Sequence, residues 1–407
     1  MLNLLNGVRV LELGHILMAP YATQFLGDMG ADVIKVEPLS GDLYRSVGVG
    51  RNADMPAQWM GVNRNKRSLA LDLKSPEGRE ILKEMIAKAD ILVHNMRPPA
   101  IARLGFDYDA VKVLNPRLVY CAAIGFGRDG PYADEPAFDD VIQARSGLAD
   151  VNGRLAGRPS FVPVAIADKV VGLMVGQAML AGLHRQRATG EGCYLETPMF
   201  EAMVSVVLNQ HLNGHAFRPP VDGLGYARVM SPHRHPSPTR DGYIVHGIYR
   251  YDQWQAFLAK VDRPDILEGP LMTDKATMAA GIARLYEIAS TEILPTRTSA
   301  EWAEMLGALD IPYAPVLGID DLEDDPHLKA VGLFEDYDHP TQGPMRQVRV
   351  PYGSRDVETA PDRYPPDLGA HSVEVLREFG FSGERIALLV ETGVIAGAGS
   401  DPTGTGD

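Results

Sequence analysis

Short apolar runs rich in β-branched residues alternate with helix-patterned segments along the first two hundred residues, and this alternation constrains the fold more than any other feature. VRVLELG at 8–14 and ADVIKVE at 31–37 read as strands, with APYATQFLGDMG between them as the helical crossover. The order repeats. SPEGREILKEMIAKA at 75–89 offers Ser75 as an N-cap and Pro76 at the first helical position, ahead of apolar residues at helical spacing. ILVHNM at 91–96 and LVYCAAIGFG at 118–127 then read as further buried strands. Strands that alternate with helices cannot pair as hairpins, so they imply an α/β fold with an open, mainly parallel, Rossmann-like sheet covered on both faces.

A chain of 407 residues exceeds one ordinary core, so more than one domain is expected. The texture changes after about residue 215, where 216–240 is rich in Pro, His and Arg and reads as a linker or extended crossing. DGYIVHGI at 241–248 is strand-like, and 251–310 is mostly helical. The boundaries predicted are 1–215 for the first part of a large domain, 225–325 for a smaller α+β domain, 326–395 for a C-terminal part returning to the large domain, and 396–407 for a disordered tail of low complexity.

A net charge of −14 argues against nucleic acid as a partner, because phosphate neutralisation needs a basic face. No uninterrupted apolar run reaches the ~20 residues of a spanning helix, so no membrane partner is expected. MLNLLNGVRVLELG opens without a basic region or cleavage site, so no signal peptide is predicted. Cys121 and Cys193 form neither a disulfide framework nor a metal knuckle, which fits a reducing cytoplasm.

Several motifs are candidates for chemistry. GFGRDG at 125–130 matches G-x-G-x-x-G after a strand, but Pro131 and a polar run follow where a dinucleotide site needs a helix, so a Gly-rich mobile loop is the better reading. NRNKRSLALDLK at 63–74 gathers Arg64, Lys66, Arg67 and Lys74, either as a solvated face or as a phosphate site, and HNMRPPAIARLG at 94–105 adds Arg97 and Arg103. Together they suggest a phosphorylated ligand at the carboxyl ends of the strands. His233 and His235 have no third ligand nearby, so no metal site is expected. There is no G-x-S-x-G elbow. Asp168, beside Lys169 at the head of a long apolar helical run, is either a helix cap or a nucleophile; a carboxylate nucleophile requires no cofactor.

The segments LNGVRVLELGHILMAPYATQFLGDMGADVIKVE, NRNKRSLALDLKSPEGREIL, FDDVIQARSG, IADKVVGL, ATGEGCYLETPMFEAM and LGAHSVEVLREFGFS, in this order and over nearly the whole chain, resemble the class III CoA-transferase family, which also includes α-methylacyl-CoA racemases. The resemblance implies an interlocked homodimer and transfer of CoA from an acyl-CoA to a carboxylic acid. CoA is then a substrate, with no permanently bound cofactor. The family's nucleophilic aspartate follows a Q-A-x-S-G segment, here Gln143, Ala144, Ser146 and Gly147, which puts it at Asp168. The expected route runs through an aspartyl anhydride and an aspartyl-CoA thioester. The helix N-terminus would keep the carboxylate ionised, and backbone N–H groups in Gly-rich loops would stabilise the oxyanions.

Carried over by position, the CoA contacts are His15, Ile16, Leu17, Met18, Leu71, Lys74, Asn95, Met96, Arg97 and Arg103, with core packing as the alternative for Leu71 and Met96. Pro38 stands where formyl-CoA transferase has a phosphate-binding arginine. Phe138, Asp139, Arg228, Arg234 and His235 are candidates for the substrate pocket, the last three for a second carboxylate on a dicarboxylic acid. A racemase needs a second base, a histidine eight residues before the serine; counting back from Ser146 gives Phe138, which carries no proton. The alternatives to the transferase are therefore a racemase lacking its second base and a non-catalytic CoA-binding protein.

Overall fold

The computed structural model describes residues 1–52, 54–350 and 352–396. Six parallel strands form the main sheet: β1 (Arg9–Leu13), β2 (Asp32–Glu37), β3 (Lys66–Ala70), β4 (Ile91–His94), β5 (Val119–Ile124) and β6 (Cys193–Pro198). Their order is β3-β2-β1-β4-β5-β6, so the sheet grows outward in both directions from the β1–β4 pair. Ligands in open parallel sheets bind at such a reversal, beyond the carboxyl ends of the strands, because the two flanking connections leave on opposite faces and open a crevice.

Each face of the sheet is covered by its own apolar layer. Leu11, Leu13, Ile34, Leu69 and Leu92 point to one side, with the helix Pro76–Ile86 and the C-terminal helices Ser372–Glu378 and Gly383–Glu391. Val10, Val33, Ile91, Val119 and Ala123 point to the other, with the helices Met18–Asp28 and Ile166–Thr189. Ser75 caps Pro76–Ile86 as predicted, its Oγ accepting from Gly78 N at 3.0 Å. Ile166–Thr189 is by length and composition apolar enough to cross a membrane, a point missed by counting uninterrupted apolar residues. Ala167, Val171, Val175 and Met179 of this helix are buried in the second apolar layer.

The same period of two also places charge inside. Glu12, Lys35 and Lys66 stand on the second face and are completely buried. Lys35 Nζ lies 2.9 Å from Glu12 and 2.8 Å from Asp42, and Lys66 Nζ lies 2.8 Å from Glu12. Arg45 grips Glu37 through two hydrogen bonds of 2.7 and 2.8 Å and stacks over the Trp59 ring. Arg64 pairs with Asp28, and Arg67 with Asp32, Glu374 and Glu378. The cluster Arg64, Lys66 and Arg67 is thus neither a solvated face nor a phosphate site. Each cation is buried against a carboxylate, where leaving it unpaired would be prohibitive.

The chain divides into two compact units. The first comprises Met1–Ala149, Phe161–Val207 and the chain from Gly332. The second comprises Asp150–Ser160 and Leu208–Val331. The division falls earlier than the predicted 215–225, later than 325, and assigns 150–160 to the second unit. That unit has its own core around Trp254, Phe257, Trp302 and Leu306, with a three-stranded antiparallel sheet of Ser237–Pro238, Tyr243–His246 and Tyr313–Pro315. Except for Ala396, the tail 396–407 lies outside the described residues.

Candidate active site

The site is built where β1 and β4 diverge. The Asn95 side chain, just past β4, accepts from His15 N at 2.8 Å and donates to His15 O at 2.7 Å. Both of its polar ends are engaged, so Asn95 holds the loop after β1 in place. Ile16 follows with φ of 64°, in the left-handed region that strains a β-branched residue. Asp42 fixes that strain: Oδ1 accepts from Ile16 N at 3.0 Å and from Tyr44 N at 3.0 Å. The Asp42 carboxyl is buried beside Lys35, which with these hydrogen bonds overcomes desolvation and draws its pKa down to about 2. Burial, then Lys35, holds the His15 imidazole below its ordinary pKa.

Asp168 lies in the first turn of Ile166–Thr189. It is not the cap: the N-cap is Ala165, whose side chain makes no capping bond. The helix start is secured instead by Asp139, whose Oδ1 accepts from Asp168 N at 3.0 Å while Oδ2 accepts from Gln143 Nε2 at 2.6 Å. Gln143 Oε1 accepts from Val162 N at 2.9 Å, tying down the segment before the helix. Asp139 is therefore a buried helical residue. Phe138 is the exposed N-cap of that helix, Asp139–Arg145.

One turn after Asp168, and so on the same face, comes Gly172. A Cβ there would stand 2.9 Å from Met18 O and 3.2 Å from Tyr21 Cδ1, so glycine lets the Asp168 helix rest against the start of Met18–Asp28. That contact brings Asp168 to the end of the sheet where β1 gives way to its loop. Among the described residues, the partly buried Asp168 carboxylate has no ion-pair or hydrogen-bond partner. Burial, and secondarily the Asp139 charge, push its pKa up to about 7. Burial and the Asp139 charge thus work against the ionised form expected of a carboxylate at a helix start. Tyr44, which the sequence reading missed, is part of this environment: its phenol is raised by burial and then by the charges of Asp168 and Asp42. Nothing in GDLYR announces that role, since it depends on Asp42 joining two distant loops.

The carried-over CoA residues separate into three groups. Leu71 and Met18 are fully packed into the two apolar layers, and Leu17 is buried, so their side chains are core. Met96 packs partly against the first layer. Lys74, Arg97 and Arg103 are exposed beyond the carboxyl ends of β3 and β4 and, among the described residues, have no carboxylate partner. They contrast with the paired Arg64, Lys66 and Arg67.

The GFGRDG segment forms turns rather than a helix. Gly127 N donates to Glu201 Oε1 at 2.9 Å and Arg128 N to Glu196 Oε1 at 3.0 Å. Two of its amides are thus already taken by carboxylates. Arg228, Arg234 and His235 fall in the second unit, where Arg234 and His235 line one recess and Arg228 binds its wall.

The Rossmann-like sheet thus carries the unpaired Asp168 carboxylate near its switch point, and among the described residues no group of three or more His, Cys, Asp and Glu could hold a metal ion. The model of CoA-transferase family III matches residues 5–372, and the chain belongs to that family as an acyl-CoA:carboxylate CoA-transferase of class III. It is 33% identical over 390 residues to a succinate–glutarate CoA-transferase from Agrobacterium fabrum, covering 92% of this chain and 95% of that protein. It is 29% identical to the human succinyl-CoA:glutarate CoA-transferase, over 96% and 90% of the two chains. A crystal structure of a CAIB/BAIF family protein from Brucella suis superposes with a TM-score of 0.78 at 28% identity, over 93% of this chain and all of that one.

Proposed function

We propose that this enzyme moves CoA between short carboxylic acids through covalent chemistry at Asp168, with dicarboxylates as the preferred acids. The observation that carries the reading is the Asp168 carboxylate, partly buried and unpartnered beside the switch point. The ion-paired acids of this unit have their charge neutralised; Asp168 is left with an unshared nucleophilic lone pair. The succinate- and glutarate-handling relatives support the choice of acid.

An Asp168 oxygen attacks the thioester carbonyl of the donor, the C–S bond breaks, and CoA leaves as thiolate, giving a mixed anhydride. The thiolate attacks the aspartyl carbonyl and expels the donor carboxylate, leaving an aspartyl-CoA thioester. The acceptor carboxylate displaces the thiolate from it to give a second anhydride, and the thiolate attacks the acceptor's acyl carbon. Asp168 is regenerated and the new thioester departs. No proton is gained or lost, so the cycle needs no general base, in keeping with Phe138 at the position where a racemase would carry its second base. Lys74, Arg97 and Arg103 hold the phosphates, and the ordered His15–Ile16 loop lies along the pantetheine.

The same reading makes the enzyme an interlocked homodimer of the reducing cytoplasm. The test is trapping. After incubation with acyl-CoA, hydroxylamine should convert Asp168 to a hydroxamate, seen as a mass change on its peptide; Asp168→Asn should fold, give no adduct and lose turnover. An active Asp168→Asn enzyme would defeat the proposal. Exchange of CoA between an acyl-CoA and free acids separates the transferase from a non-catalytic CoA binder.

A further inference from the structure

Attack by Asp168 on a thioester places negative charge on the carbonyl oxygen, and that charge needs a donor fixed in place before the reaction. Several amides at this end of the sheet are already spent. His15 N donates to Asn95 Oδ1 at 2.8 Å, Ile16 N to Asp42 Oδ1 at 3.0 Å and Asp168 N to Asp139 Oδ1 at 3.0 Å. Gly127 N and Arg128 N donate to Glu201 and Glu196. A side-chain donor therefore carries weight here.

Tyr44 offers one. Its backbone is anchored on both sides: Tyr44 N donates to the same Asp42 oxygen that takes Ile16 N, and the next residue, Arg45, grips Glu37 and lies over the Trp59 ring at 3.6 Å. The half-buried Tyr44 ring packs against Met55, Trp59 and Met60. Tyr44 is thus tied to Ile16, and the Asp168 helix rests on Met18, two residues on, all within the first unit. Tyr44 hydrogen-bonds only through its backbone among the described residues, so its hydroxyl is unbonded, as is the Asp168 carboxylate. Burial, then the charges of Asp168 and Asp42, hold the phenol above its ordinary pKa, so it is still a donor at the pH where Asp168 ionises. A neutral donor and an anion that feel each other without bonding leave a place between them for a third group.

We infer that Tyr44 is a catalytic residue whose hydroxyl donates a hydrogen bond to the thioester oxygen as Asp168 attacks. The inference deepens the transferase reading and rests on it. As the Asp168 oxygen bonds to the carbonyl carbon, the C=O π pair moves onto oxygen, where the Tyr44 O–H holds it without giving up its proton. The pair then returns, the C–S bond breaks, and its electrons leave on the CoA sulfur.

The test is Tyr44→Phe in the full chain, which keeps the ring and removes only the hydroxyl. The single-turnover rate of the hydroxylamine-trapped Asp168 adduct from succinyl-CoA should fall about 100-fold. The fall should be the same at every pH from about 5 to 9, leaving the midpoint of the profile in place, while KM stays within about threefold of wild type. A dithioester analogue of the donor puts sulfur, a weak acceptor, where the carbonyl oxygen stands; with it the substitution should cost no more than about threefold. This comparison of two donors on one sample decides even where Tyr44→Phe lowers the urea midpoint. Adduct formed as fast by Tyr44→Phe as by wild type, a displaced pH midpoint that accounts for the loss, or a full loss retained with the dithioester would each overturn the role of Tyr44 alone. Wild type that forms no adduct at all would sink the Asp168 mechanism, and the role of Tyr44 with it.

Discussion

Asp168 is held at a cost to stability that the proposed nucleophilic role would account for. Its folded pKa of about 7 lies above the ordinary value of 3.8, so the fold favours the protonated acid. Stability attributable to this group is greatest below the unfolded value, falls as pH rises from about 4 towards 7, and is lost above that. Asp168→Asn removes the ionisation, so at pH 8 it should be more stable than wild type by roughly 1–3 kcal/mol in denaturant unfolding, with the difference vanishing near pH 4. A variant less stable than wild type at pH 8 would refute the burial argument. Reactivity carries the opposite sign. Only the anion attacks, so the initial rate of adduct formation should climb about tenfold per pH unit below 7 and level off above it. A flat profile between pH 5 and 8 would mean that the carboxylate is already ionised in the complex with acyl-CoA.

At the scale of elements, the buried ion pairs decide how strands and loops are joined near the site. Glu12 of β1 serves Lys35 of β2 and Lys66, the first residue of β3, and accepts from Thr23 at 2.5 Å, so one carboxylate ties three strands and a helix. Lys35 also reaches Asp42, which in turn fixes Ile16. In Glu12→Gln, Lys35 would keep Asp42, while Lys66 would lose the only carboxylate within ion-pair distance among the described residues. The expected loss is about 3–5 kcal/mol, measured as a fall in the urea midpoint. Replacing Lys66 by Met in the same chain should recover much of it, because the stranded charge is what destabilises. If the single substitution costs under 1 kcal/mol, the network is more hydrated than its burial indicates.

For the whole molecule, the two units have separate cores, one layered on the parallel sheet and one around Trp254 and Trp302. Interlocked chains cannot separate without unfolding, so the proposed dimer should persist on dilution. Sedimentation at nanomolar concentration should still show one dimeric species, with subunit exchange no faster than global unfolding. A monomer in rapid equilibrium would exclude interlocking.

Much of this was legible in the order of residues. Short apolar runs at 8–14, 31–37, 91–96 and 118–127 specify buried parallel strands because the helix-patterned segments among them exclude hairpin pairing. The Ser75–Pro76 start is a local pattern readable from the residues alone, while the weight on the aspartate following QARSG is what the family resemblance implies. The roles of charged and polar residues were not legible in this way. Arg64, Lys66 and Arg67 read as a basic patch, yet each is neutralised by a carboxylate distant in sequence or on another strand. Leu71 and Met18 read as ligand contacts and pack into the apolar layers, while Tyr44, whose phenol feels the Asp168 charge, and Asp42, which fixes the loop after β1, have no signal in the sequence. The raised pKa of Asp168, the occupied amides of the GFGRDG loop and the unbonded hydroxyl of Tyr44 depend on through-space electrostatics and burial, which fall off with distance in three dimensions and have no period along the chain.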